Sequence, residues 1–119
     1  MPVMSRNLDL YLADIIGAIR KIRSYTDDLD FGRFTEDERT VDAVIRNLMV
    51  IGEAVKNIPE DVRQLEPGIE WRKIAGLRDF AAHAYFNVSS EIVWDVVQSK
   101  LSSLNEAVVR IYDDRDRLI

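Results

Sequence analysis

Three stretches of this chain place their aliphatic residues at the period of an α-helix. In residues 7–25, Leu8, Leu12, Ile15, Ile19 and Ile22 fall at alternating spacings of four and three. Side chains spaced in this way stack on one face of a helix, so the stripe needs a core to cover it. Leu10, Tyr11, Ile16 and Ala18 broaden it. Val41, Val44, Ile45, Leu48, Ile51, Val55 and Ile58 form a second stripe of about six turns. Val93, Val97, Leu101, Leu104, Val108 and Ile111 form a third, on a helix expected over 89–116. No segment reads as a strand. Stripes of this kind are buried by packing helix on helix.

The segments between the stripes set the order of the elements. Residues 26–34, TDDLDFGRF, read as a loop. Thr35 and Glu38 have the spacing of a capping box, which places the start of the second long helix at Thr35. Gly52 interrupts that helix; an interior glycine costs about 1 kcal/mol against alanine, so another backbone is expected to pack closely there. Glu53 and Lys56 read as solvent-facing, and an inward Glu53 would orient a catalytic group. Pro59 stops the helix, and PEDVRQLE forms a short one. After the turn at Pro67-Gly68, a third helix runs from about Glu70, with Trp71, Ile74, Leu77 and Ala81 as its ridge. Asn87, Ser89 and Ser90 break the pattern and offer an N-cap for the last helix. Trp94 is expected at the edge of that helix's packing, and the tail DDRDRLI is expected to fray. The expected fold is all-α: an up-and-down four-helix bundle with a short extra helix, one domain across residues 1–119.

Composition narrows the chemistry. The 119 residues include no cysteine and one histidine, so disulfides and thiolate metal sites are excluded. A zinc site would need carboxylates or a second subunit, and neither metal nor cofactor is expected. No apolar run approaches the roughly 20 residues that span a bilayer, and the first residues lack a signal-peptide pattern. A soluble, cytoplasmic protein is expected. The net charge of −5 counts against a general nucleic-acid coat. It is compatible with a small basic cleft, or with a basic partner that covers part of the surface. Arg20, Lys21 and Arg23 read as complements to a helix C-terminus.

The chemistry concentrates in residues 77–88, LRDFAAHAYFNV, which hold the lone histidine. Arg78, His83 and Tyr85 can all act on a phosphate. At roughly 100° per residue, Arg78 and Tyr85 are nearly aligned, whereas His83 lies about 140° round from Arg78. Arginine and histidine converge only if the helix ends or bends near Ala82–Ala84, or if a second copy supplies the other half. Cleaving RNA through its own 2′-hydroxyl needs a base, an acid and positive charge on the crowded phosphorane. Two copies related by a dimer axis would supply all three without a metal. Plainer readings stand beside this one. His83 could be a cap or a satisfied core group, Tyr85 a packed ring, and Asp79 an ion-pair partner of Arg78.

The segment resembles the HEPN superfamily, whose signature is an arginine, a polar residue, several further residues and a histidine. Here these are Arg78, Asp79, three more residues and His83. The extension to Tyr85 resembles the HepT-like toxin branch, and IGEAVKNIPEDVR (51–63), EWRKIAGLRD (70–79) and YFNVSSEIVWDVV (85–97) are similar to that branch too. The resemblance spans about residues 5–112. It implies an all-helical homodimer with its cleft between subunits. It implies a metal-independent endoribonuclease toxin of a toxin–antitoxin pair, with RNA as substrate, Arg78 and His83 catalytic, and Asp79 as the supporting polar residue. It also implies a cognate minimal nucleotidyltransferase antitoxin that adds AMP to Tyr85. Asp79 stands where the superfamily often has asparagine, which sets a negative charge beside the phosphate site. The alternative is a non-catalytic nucleotide- or substrate-binding partner of a small nucleotidyltransferase. A structural helical dimer without chemistry is the third reading.

Overall fold

A computed structural model of the chain describes residues 2–86 and 89–114, with side chains described for 7–83 and 89–114. The described residues form eight helices and no strand. These are α1 (Pro2–Thr26), α2 (Phe31–Glu36), α3 (Glu38–Lys56), α4 (Glu60–Arg63), α5 (Trp71–Ala75), α6 (Leu77–Phe86), α7 (Ser90–Ser99) and α8 (Leu101–Asp114). The chain is therefore all-α. α1 packs against α3 and α8, and α3 lies between α1 and the α5–α6 pair. Every residue that sets the period of the three stripes is buried, and Phe34, Trp71, Ile74, Leu77 and Ala81 join them in one core, whereas Leu10, expected to broaden the first stripe, is exposed.

One short helix appears where a loop was expected, and the start of the next helix moves. Residues 31–34, read as loop, open α2 because Asp30 caps it: its side chain accepts a hydrogen bond from the Arg33 backbone N–H at 2.8 Å. Burial of Phe34 holds α2 in place, with its ring centroid 5.0 Å from that of Trp94. Thr35 is consequently inside α2 and does not cap α3; its hydroxyl meets that of Ser90 at 2.6 Å. Asp37 caps α3 instead. Its carboxylate accepts from the Thr40 backbone N–H at 3.1 Å and the Thr40 hydroxyl at 2.8 Å. The Thr40 hydroxyl, then the Thr40 N–H, hold the Asp37 carboxyl below its usual range.

Two expected long helices are each divided. The third divides at Gly76, which ends α5 with its N–H on the Arg72 carbonyl at 3.1 Å and opens α6 by accepting the Phe80 N–H at 3.0 Å. The fourth breaks at Lys100. Ser89 caps α7 as its sequence suggested, accepting from the Ile92 N–H. Asn87 and the end of the tail, residues 115–119, lie outside the described residues. α1 begins earlier than expected, at Pro2.

Polar contacts tie the 57–70 connection to the core. Arg63 donates to the Val55 and Lys56 carbonyls at the end of α3, at 2.8 and 3.2 Å. Both carbonyls lie in the last turn of α3, where acceptors are left over by the helix ladder; Val55 also accepts the Ile58 N–H at 3.1 Å, and the guanidinium adds a side-chain cap. Trp71 donates its indole N–H to the carbonyls of Arg63 and Glu66, at 2.9 and 3.0 Å. Glu66 in turn accepts both Nε and Nη2 of Arg110 on α8, at 3.2 and 2.7 Å. α5 and α6 pack against α3, where the candidate site lies.

Candidate functional site

The site begins at a backbone contact. An added Cβ at Gly52 would stand 2.4 Å from the Arg78 backbone nitrogen and 3.1 Å from its Cα. Only a residue without a side chain lets α6 approach α3 so closely. The close packing expected at Gly52 is therefore present, and its partner is the arginine of the signature.

The next residue of α3 completes the contact. Glu53 forms an ion pair with Arg78, its Oε2 standing 2.9 Å from Nε. Asp79 stands farther off, its Oδ1 3.7 Å from Nη1. Both partners of the first pair are about half exposed, at 50% and 54%. Arg78 and Glu53 line an open cleft of about 400 Å³ with Tyr11 and Asp14 of α1 and Arg46, Met49 and Val50 of α3. The sequence reading did not single out Arg46. It lies seven residues before Glu53, two turns along the same helix, and that spacing was the available signal.

His83 is exposed on α6. α6 continues as helix through Ala82–Ala84 to Phe86, so no bend there turns the imidazole towards Arg78. The two remain about 140° apart around the helix. Within one chain the structure thus groups Arg78 with Asp79 and Glu53, and it does not group Arg78 with His83. Tyr85 belongs to the last turn of α6, and its side chain lies outside the described residues.

A second cleft of about 400 Å³ opens beyond the other side of α6, lined by Ile69, Ile74, Leu77, Phe80 and Val96. Lys73 and Lys100 stand at it, both paired with Glu70, at 2.6 and 3.6 Å. Lys73, by hydrogen bond and charge, holds the Glu70 carboxyl below its usual range, and Glu70 raises the Lys73 ammonium. None of the signature's polar side chains among the described residues lines this cleft. Among the described residues, no group of three or more His, Cys, Asp or Glu is placed to hold a metal ion. No helix of the described residues is long and apolar enough to cross a membrane.

The fold and site define an all-helical domain with an Arg78–Asp79 pair at the head of one helix and an exposed His83 on its second turn. Comparison with known proteins specifies it. The model of the family described as Ribonuclease HepT-like matches residues 15–111. The chain is 45% identical over 101 residues to the Probable ribonuclease HepT of Thermococcus cleftensis, covering 85% of this chain and 92% of that one. It is 39% identical over 109 residues to MJ0127 of Methanocaldococcus jannaschii, covering 92% and 90% of the two chains. No solved structure matches the chain. The chain belongs to the HepT-like ribonuclease family.

Proposed function

We propose that this ribonuclease is a metal-independent endoribonuclease toxin, one domain across residues 1–119, whose working site joins two copies of the chain. The observation that carries this reading is the placement of Arg78 and His83. They share α6, yet one lines the α1–α3 cleft and the other is exposed round the helix.

The chemistry needs two proton carriers. A base takes the proton of the 2′-hydroxyl, and the freed O2′ attacks phosphorus. The bond from phosphorus to O5′ breaks, and an acid gives O5′ its proton. The products are a 2′,3′-cyclic phosphate and a 5′-hydroxyl. One imidazole does not serve both faces of this in-line displacement, and each chain has one histidine. Two copies of His83 divide the roles between them. Arg78 supplies a permanent positive charge, and its planar fork matches two phosphate oxygens. Asp79 supports Arg78.

Tyr85 lies two residues beyond His83 in the same helix. A cognate minimal nucleotidyltransferase would transfer AMP from ATP to its hydroxyl and release pyrophosphate. The added phosphodiester would compete for the positive charge of the site, and the adenosine would block access to it. Co-expression with that enzyme should add the mass of AMP to this chain, and Tyr85→Phe should abolish the addition. Modification at another residue would reassign the role.

The deciding experiment is RNA cleavage in EDTA by unmodified protein, with His83→Ala beside it. Cleavage that survives EDTA and disappears with His83 supports the proposal. A folded, unmodified dimer that cleaves none of a varied set of RNAs would point to the nucleotide-binding partner instead.

A further inference from the structure

We infer that Glu53 is a positioning residue: it fixes which edge of the Arg78 guanidinium faces the cleft. The inference rests on the ribonuclease reading above and adds to it a residue outside the 78–85 signature.

Arg78 has five N–H donors on three sides of a planar group. Glu53 Oε2 stands 2.9 Å from Nε, the one nitrogen nearest the side-chain stem. A carboxylate there leaves the outer edge, Nη1 and Nη2, outside the contact. That edge presents two parallel donors, the arrangement that meets two oxygens of one phosphate. Without the carboxylate, a half-exposed arginine would sample many rotamers. Asp79, 3.7 Å from Nη1, is too loosely placed to do the same.

Stability does not account for the pair. Both side chains are about half exposed, and an ion pair in water contributes little to folding. Its location says more. Glu53 follows Gly52, so one residue brings the α6 backbone against α3 and the next meets the arginine that this contact delivers. Both depend on the same register of α6 on α3.

The charge of Glu53 has an opposite effect on substrate. A carboxylate beside the cleft repels RNA phosphate, so it should weaken binding while it improves orientation. The two effects are separable. Glu53→Gln keeps an acceptor oxygen and loses the charge, whereas Glu53→Ala loses both.

The test is steady-state cleavage of one RNA substrate in EDTA by the full chain. Glu53→Ala should lower kcat by roughly 10- to 100-fold, the scale of a misplaced catalytic group. Glu53→Gln should keep kcat within about threefold and lower KM. In an Arg78→Lys background, which has no Nε–H to hold, Glu53→Ala should cost nothing more. The ¹H–¹⁵N signal of Arg78 Nε should shift in Glu53→Ala and much less in Glu53→Gln. A wild-type kcat in Glu53→Ala, or an equal loss in the Arg78→Lys background, would overturn the positioning role while leaving the ribonuclease intact. Wild-type protein that cleaves no RNA, with the Nε signal still sensitive to Glu53, would overturn the ribonuclease reading and leave the pair as structure only.

Discussion

The Arg78 backbone nitrogen lies where the side chain of any residue but glycine at position 52 would begin, 2.4 Å from the Cβ site. Atoms of two different helices do not share that space, and the obstruction is backbone, which cannot swing aside. Glycine at 52 is thus a condition for the α3–α6 contact and, through it, for the location of Arg78.

Gly52→Ala sets two effects against each other. Alanine favours the helical state by about 1 kcal/mol, but forcing two packed helices apart costs about 1–3 kcal/mol. The steric term is expected to win, giving a net loss of about 1 kcal/mol in urea unfolding. Cleavage should fall more than this loss of stability explains, because the displaced residue is Arg78 itself. A stabilised variant with full activity would mean that α6 shifts freely.

Phe34→Ala should destabilise the protein by about 3–5 kcal/mol, the usual cost of emptying a buried aromatic site. Phe34 is fully buried against Trp94, whereas Phe31, also near Trp94, is 40% exposed. Phe31→Ala should therefore cost much less. Urea unfolding of the two variants checks the contrast, and equal losses would contradict the burial pattern.

The same phenylalanine shows where sequence reasoning stopped. The three stripes were legible because each repeats over several turns, although the third runs on across the break between α7 and α8 at Lys100, which periodicity did not reveal. α2 has six residues and one fully buried side chain, Phe34. No periodicity can be read from a single position; its burial depends on Trp94, sixty residues away in sequence. Thr35 failed as a cap for a related reason. A capping box is a local pattern, but Asp30 had already drawn Thr35 into a helix, and Asp37 offered a competing carboxylate. In the site, the close approach at Gly52 was legible from its energetic cost within a helix. Its partner, Arg78, was not, because the meeting is set by the packing of α6 on α3. The pairing of Arg78 with Glu53 follows from that packing and carries no signature of its own.

Acid should loosen the join between the 57–70 connection and α8. The Arg110 guanidinium, chiefly by its hydrogen bond, holds the Glu66 carboxyl below its usual value of 4.5. A depressed carboxyl contributes stability above its unfolded pKa and loses it as pH falls through its folded one. The contribution is thus complete above about pH 4.5 and declines at more acid pH. Glu66→Gln should lower stability at neutral pH and flatten the acid limb of the profile. Urea midpoints measured from pH 7 to pH 3 would check this, and an unchanged slope in the variant would remove Glu66 from the account.

A mixed dimer gives the sharpest test of a site shared by two copies. One wild-type chain paired with one His83→Ala chain, isolated through two different tags, contains a single imidazole. If each chain housed an independent site, the mixed dimer would keep about half the wild-type rate. If one imidazole takes the proton and the other returns it, a single histidine leaves one step uncatalysed. Loss of general acid or base catalysis costs typically 10²- to 10⁴-fold, and residues that act as a unit lose most of their effect with the first removal. The mixed dimer is therefore expected to cleave RNA nearly as poorly as the dimer with no histidine. Arg78→Ala in one chain should be milder than His83→Ala in one chain, because the remaining guanidinium still supplies positive charge to the phosphate. A rate near half of wild type in the histidine hybrid would show that one imidazole suffices for each site. It would return the search for the second proton carrier to the α1–α3 cleft, where Tyr11, Asp14 and Glu53 lie beside Arg78.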